Sequence, residues 1–310
     1  MELVTVVYSE EKELIELQAY TINRFISEPC IHWVIIEDQN KSKQYWHNLL
    51  DPYYTKHELR LVTDTSDINS WIPKKGWIRQ QFLKLVVATK IKSEYYLILD
   101  AKNFFIKPTD LNIWPPITQG SPRAEKDSEI SVVWGKFIDY VISSNDWKLP
   151  EYSWGPYTPF RAKTSTVKEI LELNLKELIQ GLNLKIPGVG TFSEFILYSL
   201  YVSNTKGVQI TKDLNDYDFT ITIWRPENWT TFWKKLSLED KTAYFKMRPE
   251  LSVFGVHRLV WENRECAVDI STWLLDIGFD KDVLQRSILK RYVNQKESVL
   301  VRFLNRIKNG

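Results

Sequence analysis

From Leu3 to Tyr8 the chain runs apolar and rich in β-branched residues. Behind Ser9, a residue suited to capping a helix, Leu14, Ile15, Leu17, Tyr20, Ile22 and Phe25 recur at mixed helical spacing. The pattern predicts a strand followed by a helix. His32 to Glu37 reads as a buried strand, Leu59 to Thr63 as a third, short one and Tyr95 to Leu99 as a fourth, with helical stretches between some of them. Alternation of this kind over about the first hundred residues predicts an α/β fold with a mostly parallel sheet and helices on its faces. Ligands of such sheets gather at the carboxyl ends of the strands.

Beyond Asp110 the periodicity is looser. Pro115 to Ser128 reads as a polar, proline-containing loop. Thr166 with Glu169 opens a helix to about Gln180, closed by Gly181, and Thr191 with Glu194 opens another to about Val202. Ser237 starts a third, short helix, and Leu251 to His257 resembles a late strand. From Lys281 to Gly310 eight basic residues face two acidic ones on a helical repeat of Val283, Leu284, Ile288, Leu289 and Tyr292. Such a basic amphipathic tail suits packing on its own domain, or peripheral contact with an anionic membrane surface.

Composition narrows the function classes. With 44% hydrophobic residues the chain can bury a substantial core, and a formal charge of +2 gives no reason to expect nucleic acid as partner. Two cysteines, Cys30 and Cys266, stand in no metal-binding or disulfide spacing, which suits a reducing compartment. The amino-terminal run lacks the basic and long apolar regions of a secretory leader, and no stretch approaches the roughly 18 apolar residues of a membrane span. A cytoplasmic location is the expectation. Thirteen tryptophans suit sugar stacking or core filling equally. Gly76 is the first glycine, so no phosphate-cradling glycine loop precedes it.

The most informative stretch runs from Gly76 to Pro108. On a helix, Ile78, Phe82, Leu85, Val86 and Thr89 fall on one face, expected to pack on the sheet. Trp77, Gln80, Gln81 and Lys84 fall on another and offer amides, an ammonium and an indole near a helix amino terminus, where anions are favoured. The strand Tyr95 to Leu99 then ends in Asp100-Ala101-Lys102-Asn103. A carboxylate at the end of a buried strand is costly unless it is paired, hydrated or bound to a cation.

The segment from Gly76-Trp77 to Lys84, followed by Tyr96-Leu97-Ile98-Leu99-Asp100, resembles bacterial and viral glycosyltransferase-like proteins of the GT-A superfamily. The resemblance implies a GT-A catalytic domain over 1–260, with a donor-nucleotide half (1–110), an acceptor half (111–260) and a helical extension from 261 to 310. It implies transfer of a sugar from a nucleotide-sugar donor to a glycan or other acceptor hydroxyl. In that superfamily the strand usually ends in aspartate-x-aspartate, holding manganese or magnesium against the donor diphosphate. Here Lys102 replaces the second acid. Asp100 could still bind an ion with help from Asn103, or Lys102 could itself neutralise the diphosphate.

By the same resemblance, Tyr8, Asp38, Trp77, Gln80, Gln81, Lys84, Asp100, Ala101, Lys102, Asn103, His257 and Arg258 form the donor set, with Asp100 and His257 as metal ligands. Trp154, Gly155 and Thr158 would face the acceptor. Glu194 would be the base that deprotonates the acceptor, although its spacing from Thr191 also fits a capping box. Two other readings compete. A sugar nucleotidylyltransferase would need a glycine-rich loop where Val7-Tyr8-Ser9-Glu10-Glu11-Lys12 stands, and a noncatalytic sugar- or nucleotide-binding module would tolerate Lys102.

Overall fold

The computed structural model describes residues 1–37, 41–63, 76–111, 124–155, 157–173, 192–210, 220–231, 233–248 and 251–286. Four strands form as the apolar runs predict, within a residue or so: β1 (Glu2–Val7), β2 (Ile31–Ile36), β3 (Glu58–Val62) and β4 (Tyr95–Asp100). They lie parallel, and β8 (Phe160–Lys163) closes the sheet antiparallel to β4, giving the order β3-β2-β1-β4-β8. The intervening chain gives α1 (Lys12–Phe25), after a single 3-10 turn over Ser9–Glu11, then α2 (Lys43–Leu50) and α3 (Trp77–Val86).

Strand alternation splits the core into two layers. Leu3, Val7, Val34, Ile36, Leu97 and Leu99 face α1 and a late helix, Arg264–Asp276, which contributes Cys266, Ile270 and Trp273. Val4, Val6, Trp33, Ile35, Tyr96 and Ile98 face Phe82, Leu83 and Leu85 of α3 and helices α4 (Asp127–Asn145), α5 (Thr164–Glu172) and α6 (Glu194–Thr205). Helices on both faces of a mostly parallel sheet are the predicted architecture.

Several boundaries differ. The loop expected to reach Ser128 ends sooner, because a short strand, Ala124–Lys126, pairs with Tyr152–Trp154 and leads straight into α4. The helix expected from Thr166 begins at Thr164 and ends at Glu172, and its expected continuation to Gly181 lies outside the described residues, as does Thr191. The helix after Ser237 forms over Leu238–Met247, with Ser237 and Asp240 in a capping box. Of the basic tail, residues 287–310 lie outside the described residues. Among the described residues no helix is long and apolar enough to cross a membrane.

A second sheet, in the order β5-β10-β9, joins Asn103–Phe105 (β5) antiparallel to Val253–Val256 (β10), which runs parallel to Thr220–Ile223 (β9). Gly255 lets the three strands approach. A Cβ there would stand 2.7 Å from Thr222 Oγ1 and 3.0 Å from Asn103 Nδ2. Gly255→Ala is therefore expected to destabilise the protein by about 1–3 kcal/mol, the usual cost of overpacking, read as a lower denaturation midpoint at unchanged slope.

Candidate functional site

The junction of the two sheets is a single turn. β4 ends at Asp100, opposite Val6 of β1, and the chain crosses Ala101 and Lys102 into β5. The Asn103 side-chain oxygen accepts from the Asp100 amide at 2.8 Å, and the Val256 amide donates to the Lys102 carbonyl at 3.1 Å. The turn is thus pinned from both sides, at the strand end where α/β sheets bind their ligands.

Around Asp100 four elements converge. Lys84 in the last turn of α3, 2% exposed, donates to Asp100 Oδ1 at 2.7 Å and to Glu194 Oε1 at 3.2 Å. Lys102 donates to Asp100 Oδ2, and the Thr158 hydroxyl donates to the same oxygen at 3.0 Å. With its amide nitrogen turned to Glu194, Gln81 donates to both carboxylate oxygens, at 2.7 Å to Oε1. The polar face of α3 is largely internal: Gln81 and Lys84 are buried and Gln80 is half-buried, its amide 3.4 Å from the Val6 carbonyl. Thr89, assigned to the sheet-packing face, is instead exposed, in a 3-10 turn that ends α3.

Electrostatics differentiates the two acids. Burial alone would raise Asp100, but the ammoniums of Lys102 and Lys84 more than offset this and hold its carboxyl far below the usual range. Glu194 is wholly buried; burial pushes it up to about 7, with Lys84 only partly opposing. For Lys84 burial favours the neutral amine, yet Asp100 and Glu194 outweigh it and keep the ammonium. The cluster is thus two fixed cations, one fixed anion and one acid that titrates near neutrality. A carboxyl with a raised folded pKa binds its proton more tightly than in the unfolded chain, so its contribution to stability is present below the ordinary glutamate value of 4.5 and lost as pH rises towards about 7. Comparing wild type with Glu194→Gln by denaturation between pH 5 and 8 should show the wild type losing stability relative to the variant with rising pH. A flat difference would contradict the assignment. Asp100 does not interfere, because its contribution is lost only as pH falls below the ordinary aspartate value of 3.8.

Two of the expected residues are buried. Glu194 shows no surface and its carboxylate faces Lys84 and Gln81, an arrangement that suits holding the lysine. It is not a capping-box acid: Ser193 caps α6, accepting from the Ile196 amide at 3.4 Å, so Glu194 occupies the first helical position, where an anion is favoured. Trp154 is 2% exposed between Phe160 and Tyr198, so it braces the core and presents no face to a sugar. Gly155 beside it is also buried.

The remaining expected residues are spread along the same edge. The Tyr8 hydroxyl donates to the Gly76 carbonyl at 2.7 Å, joining the end of β1 to the start of α3, where Gly76 adopts a φ of 93° that favours glycine. Trp77 is part-exposed and stacks on Trp134. Ala101 is buried. His257 caps the short helix Arg258–Glu262, its Nδ1 accepting from the Leu259 amide at 3.3 Å, and Arg258 pairs with Glu262 at the surface. Asp38 lies outside the described residues, as does Pro156.

Sequence reasoning missed Trp224. It follows β9, and the His257 amide donates to the Ile223 carbonyl at 2.9 Å, so the ends of β9 and β10 carry Trp224 and His257 side by side. The Trp224 indole covers the Lys102 ammonium, 4.4 Å from ring centre to nitrogen, and remains 43% exposed. Nothing local in the sequence marks it, since the contact depends on strands far apart in the chain.

The donor set does not fit a divalent cation. Among the described residues no three His, Cys, Asp or Glu side chains converge. Asp100, the expected metal carboxylate, offers each oxygen to an ammonium, and His257 turns Nδ1 to a backbone amide. An added cation would face two positive charges already in place.

A family model described as a family of unknown function, DUF6492, matches residues 4–212. No curated protein matches the chain. Among solved structures, the bifunctional glycosyltransferase WbbM is 12% identical with a TM-score of 0.52, covering 89% of this chain and 51% of its own. The galactosyltransferase LgtC, determined with donor and acceptor sugar analogues, is 10% identical with a TM-score of 0.52, covering 93% of this chain and all of its own. Glycosyltransferase GlyE of Streptococcus pneumoniae TIGR4 is 12% identical with a TM-score of 0.48, covering 94% and 64%. The chain thus spans about half the length of WbbM and under two thirds of GlyE. The fold is that of GT-A glycosyltransferases, a central mostly parallel sheet flanked by helices.

Proposed function

The chain belongs to the DUF6492 family, whose matched span holds Lys84, Asp100, Lys102 and Glu194, and we propose that these residues form the donor end of a glycosyltransferase site. The protein moves a sugar from a nucleotide-sugar to an acceptor hydroxyl. One observation carries this reading: two ammoniums share one carboxylate at the end of the fourth strand of a GT-A sheet.

Breaking the bond between the sugar and its diphosphate leaves negative charge on the departing oxygens, and fixed positive groups aimed there lower the barrier. Lys102, itself only 8% exposed beneath the part-exposed Trp224, meets the diphosphate. Asp100 orients that ammonium with help from Thr158. Lys84, held by Glu194 and Gln81, keeps Asp100 ionised and supplies a second positive charge behind it. Tyr8 and Trp77 border the nucleoside side, and His257 with Arg258 borders the diphosphate side. The domain division at about residue 260 belongs to the same reading, as does a cytoplasmic location.

The test is nucleoside diphosphate release from UDP- and GDP-sugars in the presence of a chelator. Release that persists without divalent metal supports the proposal; release that is abolished by chelation sinks the ammonium mechanism. The burial of Glu194 favours a second reading, a module that binds nucleotide-sugars or glycans without turning them over. Binding of UDP or GDP with no donor consumed, even by water, would select it.

A further inference from the structure

Beneath the Asp100–Asn103 turn runs a chain of buried polar groups that the site chemistry leaves unused. Gln18, fully buried on α1 among Leu14, Ile15, Leu17 and Ile22, donates through Nε2 to the carbonyls of Asp100 at 2.8 Å and Asn103 at 2.7 Å. Its Oε1 accepts from the Thr5 hydroxyl at 2.8 Å. Thr5 also meets His32 Nε2 at 3.0 Å, and His32 Nδ1 meets the Tyr54 hydroxyl at 2.5 Å.

The chemistry of these groups fixes every proton. Two carbonyls can only accept, so the amide nitrogen of Gln18 must face them. Thr5 spends its single hydrogen on Gln18 Oε1 and can only accept from His32, which must therefore carry its proton on Nε2. Burial, reinforced by the nearby His57, holds His32 far down, at about 3, so the ring is neutral and Nδ1 accepts from the Tyr54 hydroxyl. The chain is directional and fully satisfied, which in a low-dielectric interior makes it stiff and makes loss of any link costly.

We propose that Gln18 is the positioning residue of the Asp100–Asn103 turn: its amide bridges the two carbonyls that flank Ala101 and Lys102 and so fixes where the Lys102 ammonium stands. The inference deepens the transferase reading and rests on it for its consequence, but the holding of the turn is testable without any ligand. Gln18 meets Asp100 and Asn103 only at their backbone carbonyls, so it acts through the backbone of the turn.

Two variants of the full chain test this, Gln18→Leu, close in volume, and Thr5→Val, which keeps the strand's branched shape and cuts the link that orients Gln18. Amide hydrogen exchange in the free protein should quicken over residues 100–105 while the rest of β1, α1 and β4 keeps wild-type protection. Affinity for UDP or GDP, titrated below the melting temperature of each variant, should fall by about tenfold or more, as expected for a loss worth one to two hydrogen bonds. Unchanged exchange over 100–105 in both variants overturns the proposal, as does a uniform rise across the sheet, which marks a merely structural role. If the wild type binds neither nucleotide while exchange over 100–105 responds as expected, the transferase reading fails and Gln18 still holds the turn.

Discussion

Lys84→Met melts at a markedly lower temperature than the wild type, and the deficit grows from pH 6 to pH 8. The substitution keeps roughly the length of the lysine's apolar stem but strips the countercharge from two carboxylates at once, one of them wholly buried. Removing one partner of a buried ion pair costs about 3–5 kcal/mol, because the remaining charge is stranded in low dielectric. In a chain of this size that corresponds to roughly 10 °C in melting temperature. At pH 6 Glu194 escapes by keeping its proton, whereas at pH 8 it must ionise unpaired or hold a proton against the bulk pH, so the cost rises. Thermal denaturation of both proteins at the two pH values checks the result. Equal stability would mean that the lysine is not the electrostatic centre of the cluster.

The second large effect is catalytic and leaves the fold alone. Lys102→Ala removes the ammonium beneath Trp224 while Asp100 retains Lys84 and Thr158 as partners. Donor turnover is expected to fall by about 10²–10³-fold, the usual loss when one preorganised charge-stabilising group is deleted. The melting temperature should move little, since Asp100 stays paired. Steady-state release of nucleoside diphosphate from a donor sugar, followed beside a melting curve, separates the two. A comparable loss of stability would assign Lys102 to structure. Lys102→Arg keeps the charge but changes a compact ammonium for a broad planar fork, so partial rescue of turnover is the accompanying expectation.

Part of this could be read from residues alone. Three of the parallel strands, β1, β2 and β4, announce themselves because each is a short, largely apolar run buried on both faces, such as Val4 to Val7 or Tyr96 to Leu99, whereas β3 at the sheet edge buries only Leu61. Asp100 stands out because an ionised group at the end of such a run requires a partner. The identity of the partner was not legible. Periodicity put Lys84 and Gln81 on a separate face of α3 from the apolar stripe, but could not show that α6 covers that face, since Glu194 lies 110 positions along the chain. Once α6 packs there, a face of amides and an ammonium becomes an interior salt-bridge site rather than a solvated one.

The later half yielded less for a physical reason. The second sheet is made of strands three or four residues long, so their patterns carry little signal, and β5 binds to β10 across about 150 residues. Helix α4 was missed because its exposed side carries Val132 and Val133, which blurs the contrast between faces on which helical periodicity depends. Gln18 reads as one polar interruption in an apolar stripe, and its meaning lies in two carbonyls more than 80 residues away. Ser193, one residue before the helix, took the capping role that the Thr191–Glu194 spacing had suggested, and with it freed Glu194 to face Lys84.

The central claim is that a diphosphate is held at the Asp100–Lys102 turn by ammonium charge. Its most direct measurement is the melting temperature of the wild type and of Lys102→Ala with UDP and with GDP, chelator present throughout, because a ligand of the native state raises its melting point by an amount that grows with the logarithm of ligand concentration over Kd. The account predicts that at least one nucleoside diphosphate stabilises the wild type without metal and that the shift disappears in the variant. A shift that survives intact in Lys102→Ala, or no shift with either nucleotide, would contradict it.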